Sequence, residues 1–175
     1  LERWDHQLDL LRADQRGGPE RHQTLRNALA VSWEPLAADE RRTLSALSVF
    51  RARFSVDAAS ALLAPLPPER VAALLSSLAE ASLLRTTPEG DFHMLPSIRA
   101  FVALERPALW SEDELYLAHA RWVLTEAEQS GPQPRPGTAG ALEDDLEAAV
   151  GRTPEPRLAV RAALALHERW RAWAA

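Results

Sequence analysis

The chain has 175 residues, a formal net charge of −5, 25 acidic and 20 basic side chains, and no cysteine. That length can bury a core but is short for two full domains, so one compact domain with helical flanks is expected. Every basic side chain other than histidine is arginine; there is no lysine for a phosphate loop or a Schiff base, and without cysteine there is no disulfide or thiolate chemistry. No apolar run approaches the length of a membrane span. Arg3, Asp5 and Asp9 interrupt the opening residues, so no signal peptide is expected and the setting expected is cytoplasmic. The sole methionine is Met94, which is the expectation for a piece of a longer protein.

Leu1, Trp4, Leu8 and Leu11 are spaced as one helix face, and Gly17-Gly18-Pro19 reads as a linker. A second helix is predicted from Arg21 towards Leu36, closed by Pro35. A third begins near Asp39, with Leu44, Leu47 and Phe50 on its face and Asp39 and Glu40 in the first turn, where the helix dipole favours acids. Ser55 is a plausible N-cap for a short helix through Leu63, with Val56, Ala59 and Leu63 inward. Pro65-Leu66-Pro67-Pro68 breaks the pattern before the next helix, from Glu69.

Val71, Leu74, Leu75, Leu78 and Ser82 then fall on one helical face. The period changes at Leu83–Thr87 and Asp91–Leu95, which flank the turn residues Pro88-Glu89-Gly90 and read as a short hairpin, the only strand pair in the chain. Pro96 suits a first helical turn, with Ile98, Phe101 and Val102 making a new apolar face. A helix followed by a two-stranded wing is the end of a winged helix-turn-helix. The fold class expected is mainly α: a winged helix-turn-helix with a small β-hairpin wing, flanked by helices.

Pro107 is expected to end that last helix. Ser111 and Glu114 have capping-box spacing for a helix carrying Leu115, Ala118 and Trp122 to about Gln129. Gly131–Gly140 is a loop by composition. Two helices, about Leu142–Val150 and Pro156–Trp173, follow as an antiparallel pair of the kind that begins a helical-repeat array.

The search for chemistry is negative: no His-Glu-x-x-His, no Gly-x-Ser-x-Gly and no Gly-rich phosphate loop occurs. His6, His22, His93, His119 and His167 are scattered, and His6 with Asp5 and Asp9 reads as a solvated helix face. Glu112, Asp113 and Glu114 are explained by capping and dipole. Glu143, Asp144, Asp145 and Glu147 read as an exposed face, and Trp170 and Trp173 as core or interface. No catalytic residue, metal ligand or cofactor-binding residue is assigned. A duplex-binding winged helix needs cations on its recognition helix and wing. Here those surfaces carry Glu69, Glu80, Glu89 and Asp91 against Arg70 and Arg85. The basic residues gather at Arg21/Arg26, Arg41/Arg42 and Arg51/Arg53 instead.

Arg21-His-Gln-Thr-Leu-Arg-Asn-Ala-Leu-Ala-Val-Ser-Trp33, Leu47-Ser-Val-Phe50, Phe54-Ser-Val-Asp-Ala-Ala59, Leu74–Leu84 and Phe92–Phe101 resemble bacterial STAND-type regulators, multidomain signalling ATPases with an NB-ARC-like nucleotide module. The resemblance covers nearly the whole chain. It implies residues 1–20 as the end of a preceding helical domain and its linker, 21–106 as the winged helix, 107–130 as a connecting helix, 131–140 as a loop and 141–175 as the start of a tetratricopeptide-like array. It implies a non-catalytic segment whose winged helix folds against the nucleotide module at rest and swings away on activation. ATP or ADP belongs to the parent protein, with no cofactor in this segment. The partners implied are the upstream nucleotide-binding domain and the downstream repeats of the same chain, with protein ligands; a membrane partner is not expected. Relatives place a Met-His-Asp motif near the nucleotide phosphates, and the matching residues here are Met94, Leu95 and Pro96, the expected interdomain switch contact. Leu95 can pack there but cannot hydrogen-bond a phosphate. The alternatives are a DNA-binding winged helix, which needs a basic face, and a protein-interaction module built on the C-terminal helices. With acids where phosphates would lie, a random duplex should bind weakly and only at low salt; a salt titration checks this, and affinity that survives physiological salt contradicts it.

Overall fold

The structure is a computed structural model that describes residues 19–105, 111–131 and 140–173. The expected helix at Leu1–Leu11, the Gly-Gly-Pro linker up to Gly18, the stop at Pro107 and most of the Gly131–Gly140 loop lie outside those residues. The described chain is mainly helical, with eight helices and one two-stranded antiparallel sheet. No helix among the described residues is long and apolar enough to cross a membrane.

The chain divides after Pro35. On the near side stands α1, Pro19–Trp33. On the far side, residues from Leu36 onward form one compact unit containing α2 (Ala38–Leu47), α3 (Val56–Leu62), α4 (Pro68–Glu80), β1 (Arg85–Thr86), β2 (Phe92–His93), α5 (Pro96–Glu105), α6 (Glu112–Ser130), α7 (Ala141–Arg152) and α8 (Pro156–Trp173).

Helix α2 is the centre of the first half of this unit. Every residue from Thr43 to Phe50 is buried, because α3, α4 and α5 all pack on it. Its start is exposed and acidic: the Ala37 N–H donates to Glu40 at 2.7 Å, and Asp39 pairs with Arg70 of α4. Glu40 also accepts from the Ser77 hydroxyl of α4. Ser55 caps α3 as its sequence suggests, its hydroxyl accepting from the Ala58 N–H at 3.1 Å. Val71, Leu74, Leu75 and Leu78 of α4 are all buried against α2 and α3, as the helical spacing predicts.

The hairpin differs from expectation in two ways. The paired strands are two residues each, in the register Arg85↔His93 and Thr86↔Phe92. Leu83 and Leu84 do not join the ladder, because both of their N–H groups turn back to the Leu78 carbonyl, at 3.0 and 3.2 Å, and close the end of α4. Ser82, placed by its spacing on the α4 face, lies beyond the helix at φ 62, the left-handed conformation of a helix C-terminus. Second, the hairpin has another partner. Phe54 and Phe92 exchange both backbone hydrogen bonds, each 2.8 Å, in an antiparallel bridge. A one-residue strand has no period, so the sequence could not announce it.

Helices α6, α7 and α8 pack mutually. Ala120, Val123, Leu124 and Ala127 of α6, Leu146 and Ala149 of α7, and Leu158, Ala162 and Leu166 of α8 form their shared core. The α6 stripe read from Leu115, Ala118 and Trp122 is turned: Leu115 is buried, whereas Ala118 and Trp122 are only half-buried. The helix serves two neighbours, presenting one face to α7 and α8 and also packing on α3. Trp170 is exposed rather than in the core. Leu75→Ala empties a site at the α2–α4 contact and should cost about 2–5 kcal/mol of unfolding free energy, measurable by urea denaturation.

Candidate functional site

Two clefts adjoin the segment between α2 and α3. Beside them two acids of α7, Glu143 and Asp145, set this part of the chain apart from a plain helical core. The sequence reading of Glu143, Asp144, Asp145 and Glu147 as an exposed face is half wrong: Asp144 and Glu147 are exposed, but Glu143 and Asp145 are buried, Asp145 to 1%. Four acids in five residues look like a solvated run. Once α7 is closed in by α6, α8 and the 49–51 segment, two of its faces point inward, and the acids on them need partners.

Asp145 has such partners. Its Oδ1 accepts from the Arg51 backbone N–H at 2.7 Å and lies 3.1 Å from His119 Nε2. His119, itself 2% exposed, meets the Phe50 ring edge-on at 5.3 Å. Phe50 stacks on Phe54 at 4.7 Å and takes the edge of Trp122 at 5.4 Å, and Phe54 stacks on Phe92 of the hairpin at 6.4 Å. A continuous aromatic row thus runs from α6 to β2. Arg152, at the other end of α7, donates to the Val49 carbonyl at 3.4 Å and lies over the Tyr116 ring. Glu143 closes the far side of the helix trio: it accepts from Arg169 of α8 at 2.5 Å and from the Gly140 N–H at 3.0 Å. Arg169 also donates to the Gly131 carbonyl at 2.6 Å.

The first cleft, about 360 Å³, lies beside this joint and is walled by Phe54, Trp122 and Leu142, with Asp57, Asp91 and Glu126 among its polar residues. The second, about 540 Å³, is the more charged in one sign. Arg51, Arg53 and Arg99 line it with His93, and the start of α7 closes it through Gly140, Ala141 and Asp144. Arg99 Nη2 donates to the carbonyls of Arg51 and Met94, at 3.1 and 3.3 Å, while its buried Nε has no partner. Burial lowers the Arg99 pKa from the ordinary arginine value, and repulsion from Arg51 lowers it further, against the pull of Asp145 and Asp144. Burial likewise lowers Arg51, with Tyr116 and Asp145 acting the other way.

Met94, Leu95 and Pro96 meet this second cleft. Met94 and Pro96 line it. Met94 is buried, Leu95 half-buried and Pro96 exposed, and the Leu95 carbonyl accepts from the Arg99 N–H at 3.0 Å in the first turn of α5. Sequence reasoning named the Arg51/Arg53 cluster but not its convergence with Arg99, which comes from a different helix. It missed the His119–Asp145 pair altogether, because 26 positions separate the two residues. Among the described residues, no group of three or more His, Asp or Glu side chains could hold a metal ion. No family model, no curated protein and no solved structure matches the chain.

The Asp144 carboxyl is pushed above the ordinary aspartate range, first by partial burial and then by Asp145, Glu147 and Glu143, with Arg99 opposing. A carboxyl with a raised folded-state pKa is a cost above that pKa, and the cost disappears as pH falls through it. Asp144→Asn should therefore raise the melting temperature at neutral pH and lose that advantage in acid below the ordinary aspartate pKa; melting curves across pH read both.

Proposed function

We propose that this chain is a non-catalytic regulatory segment of a STAND-type signal-transduction ATPase or transcription regulator, with residues 36–105 a winged helix and α6–α8 the lead into a tetratricopeptide-like array. One observation carries the reading: the element order helix, one-residue strand, helix, helix, two-stranded hairpin. The Phe54–Phe92 bridge supplies the first strand that a winged helix needs between its first two helices, and the sequence reading lacked it. The antiparallel contact of α7 and α8 fits the first pair of an array.

In this reading the winged helix is an intramolecular switch. Its hairpin-to-helix turn, Met94-Leu95-Pro96, faces the nucleotide-binding module of the same chain, and ATP or ADP is bound there rather than in this segment. Met94 is committed to the local core, and Pro96 starts α5. Leu95 is the residue with both a buried and an exposed part, and so the one suited to hold the closed state by packing. Direct DNA reading by α4 gains no support, since its arginine, Arg70, is paired with Asp39.

Leu95→Asp should open the parent protein. Full burial of a leucine is worth about 1.5–3 kcal/mol, so nucleotide exchange should accelerate by about tenfold or more. The measurement is the release rate of a fluorescent nucleotide from the parent protein, beside the melting temperature of the isolated segment. Unchanged release together with a strongly destabilised segment assigns Leu95 to the internal core alone and removes it from the switch.

A further inference from the structure

We infer that the Arg99 side chain is a strap that couples the hairpin-to-helix turn to the docking of α7, so that the two loosen or tighten together. The coupling is a property of the compact unit and needs neither the winged-helix reading nor the ATPase.

The strap starts from the first turn of α5, where the Arg99 backbone N–H is held by the Leu95 carbonyl at 3.0 Å. Its Nη2 donates to the Met94 carbonyl at 3.3 Å, at the exit of the hairpin. The same nitrogen donates to the Arg51 carbonyl at 3.1 Å, 48 positions earlier in the chain. The two N–H groups of one planar nitrogen diverge at a fixed angle, so the two carbonyls are held at a set separation. The turn cannot leave the segment after α2 without breaking one of these bonds. Such a break is costly, because the guanidinium is charged and its Nε is already buried without a partner. The Phe54–Phe92 bridge ties the strand of the hairpin to a later point of that segment and does not hold the turn.

Residue 51 is where the strap meets the second half of the unit. Its carbonyl is taken by Arg99 of α5, and its N–H by Asp145 of α7 at 2.7 Å. One residue is thus clamped on both backbone polar groups, by side chains of two different helices. Only the φ and ψ rotations lie between those groups, so a pull on the carbonyl reorients the N–H. Asp145 has little freedom to follow, since it is buried and stands 3.1 Å from His119. A shift of the 94–96 turn therefore reaches the Asp145 carboxylate through Arg99 and the backbone of residue 51. A change at α7 reaches the turn by the same route. Asp145 also attracts the Arg99 charge across residue 51, with the Arg51 guanidinium opposing.

The test is amide hydrogen exchange, read by NMR on the 175-residue chain. The Arg51 amide reports on the Asp145 contact and the Arg99 amide on the turn. Arg99→Met keeps an aliphatic stem and removes the guanidinium. It should speed exchange of the Arg51 amide, whose acceptor it leaves in place, by about tenfold or more, the scale of a hydrogen bond to a charged group. Asp145→Asn weakens the other end of the clamp and should speed exchange of the Arg99 amide severalfold, because coupling between two sites is reciprocal. Leu75→Ala is the reference for general loosening, and its effect should not single out residues 51 and 99. The strap is overturned if Arg99→Met speeds exchange at the turn alone, or if both variants raise exchange across all amides as Leu75→Ala does. Where Arg99→Met folds poorly, Asp145→Asn decides alone: an Arg99 amide that it leaves unchanged overturns the strap.

Discussion

The two halves of the compact unit are held in register by one buried carboxylate. An isolated aspartate at 1% exposure could not stay charged in an apolar core. Asp145 is tolerated because the chain brings an amide, that of Arg51, and an imidazole, that of His119, to the same oxygen. These partners come from different places: a segment that follows the central helix of the first half, and the helix that begins the second. The second half supplies the imidazole itself, and the Arg51 amide comes from the first, so both partners are met only where the halves are docked.

This is a constraint of specificity more than of strength. The row from Trp122 through Phe50 and Phe54 to Phe92 buries aromatic surface across the same joint, and apolar contacts of that kind tolerate sliding. A carboxylate with two directed partners does not. Leaving a buried polar group without its hydrogen-bond partner costs about 1–3 kcal/mol, and more when the group is charged. Glu143 with Arg169 repeats the device at the far end of α7, where Arg169 also holds the carbonyl of Gly131. Helix α7 is therefore pinned by polar contacts along its length, and Leu146 and Ala149 supply the apolar filling between them.

How much of this the sequence disclosed follows from the distance over which each signal acts. Helices were legible because their signals lie within four residues: the 71, 74, 75, 78 spacing, the Ser55 cap and the Pro156 start all correspond to what is observed. The hairpin turn was legible from Pro88-Glu89-Gly90, with the Thr87 N–H bonded to the Asp91 carbonyl at 2.8 Å. What failed was whatever depends on partners far along the chain. The acids of α7 carry no local mark of burial. Their partners are Arg51, 94 residues away, and His119 and Arg169, each 26 away. The arginine cleft was half visible, as Arg51 and Arg53, since its third member arrives only when α5 folds back beside the segment after α2.

The same geometry limits how the unit can move. To part the hairpin half from α6–α8, the Asp145 carboxylate must give up the Arg51 amide, the Arg152 guanidinium must leave the Val49 carbonyl, and Phe50 must withdraw from His119 and Trp122. Those losses fall together, because Val49, Phe50 and Arg51 are consecutive and cannot be withdrawn one at a time. An opening that small local fluctuations cannot accomplish in steps is a high-energy event. Any force applied at the hairpin is then transmitted through residues 49–51 into α6 and α7 rather than absorbed at the joint. A displacement of the hairpin therefore carries α6 and α7 with it, since residues 49–51 are tied to both.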